Sequence, residues 1–416
     1  MGNTVAIIDP ISSGRLYGRE AKAIGFKPIA VLTGTPLSDA LKRFASVESF
    51  DEVHHMEDVE KTARFLRSRD VKAVLAGHHF ALRVVDNLAG LLGLVGNSLD
   101  GVEARLNKLA MKRRLHEHGV PATQSRGICT KNLSDFKRFG MSFPVVLKPS
   151  EGSGSLSVKI CRSLDEIRSG LIEIESLDLV YSGSERISLV EEYIEGPEYF
   201  ITTANYGDGN KQLLCFARYD KVQTQHRPSI YKNIYSLPID SDAAQAAFRY
   251  ACDINRALGV EHGINDIEFK LTPHGPLVIE QNNRLPGANV PALIEWCTGI
   301  NCYWVNLGIF SDTVPIQKPE VIYRKHFFIC CLANDVVGTV IDVEGMDVVK
   351  ALPGVVGVDL MVEVGEVIDK TTDFITTWAF VYMVHEDPQL LRRNADFVHA
   401  NLRLSVAPPS GRDLSS

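Results

Sequence analysis

Asp266, Glu268, Glu280 and Asn282 are the residues through which this chain is best placed to do chemistry. They lie in two alternating apolar runs, INDIEFKL (264–271) and LVIEQNN (277–283), separated by Thr272-Pro273-His274-Gly275-Pro276. Such runs around a Pro/Gly turn predict a β-hairpin. With the turn centred on His274, Glu268 falls opposite Glu280 and Asp266 opposite Asn282. The two-residue period of a strand then puts all four side chains on one face. Two carboxylates about 5 Å apart repel by roughly 3 kcal/mol at an effective dielectric near 20. Lys270 or Arg284 can offset this as a surface charge ladder. A hard divalent cation can also offset it, since Mg²⁺ suits one or two carboxylates plus a substrate phosphate. A slip of one residue breaks either arrangement.

Three further stretches carry groups suited to an anionic ligand. Glu103 to His118 has helical spacing at Leu106, Leu109, Ala110 and Leu115 and stops at Gly119, which predicts one helix with Lys108 in its first half. FPVVLKPSEGSGSLSVKI (143–160) reads as a strand ending in Lys148, a Gly/Ser turn and a second strand. Backbone N–H groups of such a turn can cradle a phosphate, with the lysine as a point charge, although a plain hairpin tip has the same composition. SLVEEYIEGPEY (188–199) is a strand entering a Gly-Pro turn. Its edge can read an adenine through the backbone of Glu192 and Ile194 while a carboxylate takes the amino group. Its acidic residues also fit a solvated face.

The elements that hold these residues come from an ordinary globular composition. The chain has 416 residues, 45% hydrophobic and 23% charged, which suggests two or three domains. Its net charge of −7 argues against nucleic acid or an anionic membrane as a main partner. No apolar run is long enough for a membrane span, and eight scattered cysteines lack metal-ligand spacing, so a cytoplasmic protein with reduced thiols is expected. TVAIID (4–9), PIAVLT (28–33) and VKAVLA (71–76) alternate with helical stretches, predicting a parallel sheet whose ligands bind at the strands' carboxyl ends. That favours Asp9–Gly14 and Gly77–Phe80, although Ser12-Ser13-Gly14 matches no phosphate fingerprint. Asp242 to Gly259 predicts a capped structural helix. After Pro315 short apolar runs and a helix near 387–402 read as packing or dimerisation, without chemistry.

Together the signals have a characteristic order: a helix lysine, a strand-end lysine with a Gly/Ser loop, E-E-Y-I-x-G-P-E, and E-x₁₁-E-x-N-x-R before Pro-Gly. This order resembles the ATP-grasp superfamily of carboxylate–amine ligases, most closely the branch that ligates amino acids into dipeptides. The resemblance implies an α/β (α+β) ATP-grasp fold with a Rossmann-like N-terminal domain (1–105) and a central domain with a small mobile lid (106–190). A C-terminal sheet domain (191–312), a β-rich packing module (313–405) and a disordered tail (406–416) follow. It implies that Lys108, Lys148, Glu151, Ser153, Gly154 and Ser155 hold the phosphates of ATP, and that Glu191, Glu192 and Ile194 hold adenine, with Glu198 on the ribose. Glu268, Glu280 and Asn282 would bind Mg²⁺ or Mn²⁺, Arg284 would stabilise the reacting carboxylate, and His79, Gly287 and Ala288 would lie beside the substrate.

The implied reaction joins a small carboxylic acid to an amine, amino acids foremost, through an acyl phosphate with release of ADP and phosphate. A homodimer is compatible with this reading. In relatives of this branch the loop after the third strand commonly reads G-x-E, and its glutamate grips an ammonium; here it reads Gly77-His78-His79. Histidine can donate to an anion or, when neutral, accept. The first substrate is therefore expected to differ from a plain α-amino acid near its α-substituent, unless another acid such as Asp9 holds the ammonium. Metal binding by His54-His55 or His78-His79 is disfavoured, because neighbours on a strand face opposite ways. Two alternatives remain. One is a carboxylase of the same superfamily using bicarbonate, which shares E-x-N-x-R. The other is a non-catalytic ATP-binding regulator, which would be expected to have lost a metal ligand or Arg284.

Overall fold

The computed structural model describes residues 3–37, 39–152, 157–176, 187–224, 227–311 and 318–408. The first sheet is parallel, with strands β1 (Thr4–Ile8), β2 (Lys27–Leu32), β3 (Glu52–His55) and β4 (Val71–Ala76) in the order β3-β2-β1-β4. Every residue of β1 is buried, as an apolar strand covered on both faces must be. The edge strand β3 is an addition to the three strands legible in the sequence. Its half-exposed alternation (EVHH) carries no apolar run to announce it.

Four strands, β5 (Ser125–Ile128), β6 (Val145–Pro149), β7 (Lys159–Cys161) and β8 (Ser188–Glu192), form a small antiparallel sheet ordered β5-β8-β6-β7. Helix Leu164–Ser176 packs its Ile167, Leu171 and Ile174 against this sheet. A boundary at 190/191 would cut through β8, so this unit extends to Glu192.

The remaining strands are β9 (Glu198–Tyr206), β10 (Lys211–Thr224), β11 (Arg227–Ser236), β12 (His262–Thr272), β13 (Gly275–Asn282), β14 (His326–Leu332), β15 (Gly338–Glu344), β16 (Val355–Leu360), β17 (Val367–Ile368), β18 (Ala379–His385) and β19 (Arg403–Ala407). Eight of them make one large sheet, ordered β13-β12-β9-β10-β11-β14-β18-β16. The stretch after 313, expected as a separate packing module, therefore continues the large sheet: the buried runs of β14 and β18 pair with β11 and with each other. Strands β17, β15 and β19 form a small third layer. Val406 and Ala407, expected to belong to a tail, instead pair with Val340 and Thr339, and residues 409–416 lie outside the described residues.

Helix Asp242–Ala257, capped by Ser241, covers one face of the large sheet, and helix Pro388–Asn401 covers its far end. The single helix expected across 103–118 is two, Val102–Leu106 and Lys108–Glu117. Asn107 breaks it by turning extended and accepting the N–H groups of Leu109 and Ala110 through its side chain, a cap that outcompetes continuation. Lys108 thus opens a helix instead of lying within one.

Candidate active site

The hairpin places Glu268 opposite Glu280 and Asp266 opposite Asn282, by a route the sequence did not show. Its turn has Pro273 and His274 between the paired Thr272 and Gly275, a register that taken alone would set Glu268 against Ile279. An extra residue, Ile279, interrupts the ladder between Phe269↔Val278 and Glu268↔Glu280 and restores the carboxylate pairing. Ile279 and Glu280 both line a cavity of about 680 Å³ over the large sheet.

Cations reach the same cavity from two other elements. Lys108 Nζ lies 3.2 Å from Glu280 Oε1 and donates to the Gly152 carbonyl at 2.6 Å. Its own N–H donates to Ser150 at 2.8 Å, docking the helix start on the strand-end loop. Lys148, at the end of β6, pairs with Glu191 Oε1 at 2.5 Å. Glu151 is buried and accepts from Asn107 Nδ2 at 3.3 Å. Ser153, Gly154 and Ser155 lie outside the described residues.

Around the hinge, Glu191 is fully committed. Thr123 Oγ1 donates to its Oε2 at 2.8 Å, and Lys112 stands 3.5 Å from the same oxygen. Burial opposes its charge, but Lys148 and Lys112 hold the carboxyl down at about 2. Glu191 therefore acts directly on Lys148. Glu192 is exposed and accepts from the Gln124 N–H at 3.0 Å, while the Ile194 carbonyl takes Lys270 Nζ at 2.8 Å. Glu198 is ion-paired with Lys221, whose ammonium also sits 4.2 Å from the centre of the Tyr231 ring.

The cavity wall includes residues that the sequence reading passed over. Tyr219, Lys221, Lys232 and Phe328 line it, as do Arg392 and Asp396 of helix Pro388–Asn401. The segment after 320 was expected to lack chemistry, yet it lines this cavity, because β14 joins the large sheet and that helix packs on it. No local pattern marks Arg392 or Asp396. By contrast Lys112, four residues after Lys108, lies on the same helix face, a spacing visible in the sequence.

The loops at the carboxyl ends of the parallel strands reach the exit of the hairpin. Ser13 Oγ donates to Pro286 at 2.6 Å, and Tyr303 OH to Ser13 at 3.1 Å. Gly14 and Gly77 pack backbone to backbone; a Cβ at Gly14 would lie 2.2 Å from the Gly77 oxygen, so a side chain would push the loops apart. Ala288 and Asn289 both adopt left-handed backbone, turning the chain from Gly287 into helix Val290–Thr298. Arg284 donates to the Leu285 carbonyl at 2.6 Å, and its Nε is buried without a hydrogen-bond partner.

The two histidines of the Gly77–Phe80 loop are enclosed in the fold. His78 and His79 are both buried, with Nδ1 atoms that make no hydrogen bond, and His79 Nε2 lies 3.4 Å from the Leu106 carbonyl. Burial drives both imidazoles down to about 3, with Arg284 repelling the proton at His78, and Lys108 and Arg284 at His79. Held neutral, His79 matches the accepting form of the expectation rather than a charged pairing with an anion. Asp9, the other expected ammonium site, accepts from Thr33 N and Oγ1 at 2.9 and 2.7 Å, one bond on each carboxylate oxygen.

Two observations test whether the hairpin fits a divalent cation. Glu280 Oε1 and Asn282 Oδ1 are buried acceptors that make no hydrogen bond, with the Lys108 ammonium facing Glu280 Oε1 at 3.2 Å as an ion-pair partner. Glu268 accepts from Tyr219 OH at 3.3 Å, and burial, then Glu280 and Glu198, push its carboxyl well above the usual carboxylate range. Among the described residues no cluster of three or more His, Cys, Asp or Glu makes a closed metal cage. Two carboxylates and an amide open to a phosphate suit Mg²⁺ better than such a cage. The residues present fit the ion.

Comparison with known proteins places the architecture. Residues 141–291, from the lid past the hairpin, match the ATP-grasp domain family, and residues 332–407 match the L-amino acid ligase C-terminal domain 2. The chain carries an ATP-grasp domain followed by the C-terminal domain of an L-amino acid ligase. It is 23% identical to dapdiamide A synthase of Enterobacter agglomerans, covering 96% of this chain and 97% of that one. It is 22% identical to the L-arginine-specific L-amino acid ligase of Bacillus subtilis over 68% of each chain. The crystal structure of the L-amino acid ligase from Bacillus licheniformis superimposes with a TM-score of 0.80 at 18% identity, covering 98% of this chain and 99% of that one. This last likeness establishes the fold.

Proposed function

We propose that this protein is a Mg²⁺-dependent ligase that activates a small carboxylic acid with ATP and joins it to the amine of an amino acid, releasing ADP and phosphate. The observation that carries the reading is the meeting, over one cavity, of Lys108, Lys148 and the Glu268/Glu280 pair beside an amino acid ligase C-terminal domain. Lys108 and Lys148 draw the phosphates of ATP to the hairpin, and the hinge 192–198 receives the base and ribose. Mg²⁺ held by Glu268, Glu280 and Asn282 supplies charge neutralisation at the phosphoryl oxygens when bound.

A carboxylate is a poor electrophile, so its oxygen first takes the γ-phosphoryl group to give an acyl phosphate. The amine then attacks the acyl carbon, and phosphate leaves. Arg284 faces the oxyanion of that step, and its buried, unsatisfied Nε is suited to a developing negative charge. Ser13 and the close-packed Gly14–Gly77 contact hold the Pro286–Ala288 turn beside it. The lid strands β6 and β7 exclude water, which would hydrolyse the acyl phosphate. A bicarbonate-using carboxylase shares the hairpin residues but has no call for an amino acid ligase C-terminal domain.

The test is phosphate release from ATP over a panel of amino acids, acylated amino acids, hydroxy acids and dicarboxylates, with product masses. The expected result is ADP, phosphate and a condensation product when an acid and an amino acid are both present. Formation of AMP and pyrophosphate, or turnover that needs only bicarbonate, would overturn it.

A further inference from the structure

Lys112 is fully buried, at 0% exposure, and no step above uses it. Burying an ammonium is costly unless it is paired, and a well-packed apolar side chain commonly serves stability as well or better. The contacts of Lys112 point to a different use. Its Nζ donates to the Val278 carbonyl of β13 and stands 3.5 Å from Glu191 Oε2 on β8. Glu191 in turn holds Lys148 at 2.5 Å. Lys112 also shares a helix with Lys108, one turn away.

The Val278 contact has a topological reason. β13 is an edge strand of the large sheet, so its outward backbone groups lack a full strand partner, an isolated bridge between Val278 and Ala122 aside. Side chains take them instead: the Val278 N–H donates to Tyr250 OH at 2.9 Å, and its carbonyl accepts from Lys112. Val278 directly precedes the extra residue Ile279 that brings Glu280 opposite Glu268. The buried ammonium thus touches the edge strand at the irregularity on which the carboxylate pairing depends.

Resting on the ligase reading, we propose that Lys112 is a positioning residue, whose ammonium ties helix Lys108–Glu117, β8 and β13 into one junction and so sets the spacing of Lys108, Lys148 and Glu280. These three groups reach the phosphates from three separate elements, and a misplacement of about 1 Å in such a set costs on the order of a hundredfold in rate. Burial lowers the Lys112 ammonium to about 8 while Glu191 supports its charge, consistent with a group held for its partners.

The experiment compares wild type with Lys112→Met and Lys112→Gln by steady-state kinetics and thermal melting. Glu191 retains Lys148 and Thr123 in both variants, so both are expected to fold. Lys112→Met is expected to lose about a hundredfold in kcat with KM for ATP changed by less than about threefold. Lys112→Gln keeps a donor for the Val278 carbonyl and is expected to recover part of that loss. A purely structural lysine would move the melting temperature and leave kcat alone. A folded Lys112→Met within about threefold of wild-type kcat overturns the inference, as does loss of fold in both variants. A wild type that releases no phosphate with any acid overturns the ligase reading first, and the inference with it.

Discussion

Glu280 lies opposite Glu268, and its buried Oε1 makes no hydrogen bond but faces the Lys108 ammonium at 3.2 Å. Neutralising it removes half of the carboxylate pair without changing side-chain shape. Glu280→Gln is therefore expected to keep the fold, lower turnover and raise the Mg²⁺ concentration needed for half-maximal rate. Arg284→Ala acts elsewhere, on the oxyanion. If Arg284 behaves like other such donors, kcat falls by about 3 to 4 kcal/mol, two to three decades, with the Mg²⁺ requirement unchanged. Mg²⁺ titrations of kcat for both variants separate the two roles, and a wild-type rate at saturating Mg²⁺ in either would move the site elsewhere. At this scale the sequence was legible in placement, since Glu268 faces Glu280 and Asp266 faces Asn282 as their spacing implies. It was silent on burial at His79, because nothing in Gly77-His78-His79 reports that both rings are shut away from solvent.

At the scale of elements, the β12–β13 hairpin explains why reading by periodicity succeeded for a partly wrong reason. The alternation of INDIEFKL and LVIEQNN identified the strands, and centring the turn on His274 gave the observed pairing. The actual turn is one residue tighter, and the extra Ile279 makes up the difference. A bulge has no signature in apolar alternation, so this detail was illegible, as was the Asn107 break, which local capping decides. The bulge also brings an apolar side chain to the cavity wall next to a carboxylate. If Ile279 packs against the nucleotide base, Ile279→Ala removes about 1 kcal/mol of apolar contact and raises KM for ATP roughly fivefold, with kcat nearly unchanged. An unchanged KM for ATP would put the base on another part of the wall.

At the scale of the molecule, the catalytic cavity is assembled from chain segments as distant as Lys108 and Asp396. A strand order that inserts β14 and β18 beside β11 is not encoded locally, which is why the C-terminal stretch read as packing alone. The same global burial governs acid stability. His78 and His79 resist protonation in the fold down to about 3, whereas in the unfolded chain they take protons near 6.5. Above pH 6.5 neither state is charged at these rings and they contribute nothing. As pH falls from 6.5 toward 3 the unfolded state binds more protons, so stability drops by at most about 1.4 kcal/mol per pH unit for each ring. Denaturant melts from pH 7 to 4.5 are expected to show this decline, lessened in His78→Asn; an identical slope in that variant would count against a neutral buried His78.

The central claim is that a carboxylate oxygen attacks the γ-phosphate of ATP before the amine arrives. Turnover of an acid labelled with ¹⁸O in its carboxylate, followed by mass analysis of the released phosphate, tests this most directly. The mechanism predicts one ¹⁸O atom transferred to each phosphate, with ADP as the other nucleotide product. Phosphate free of label, or label appearing in AMP, would contradict it.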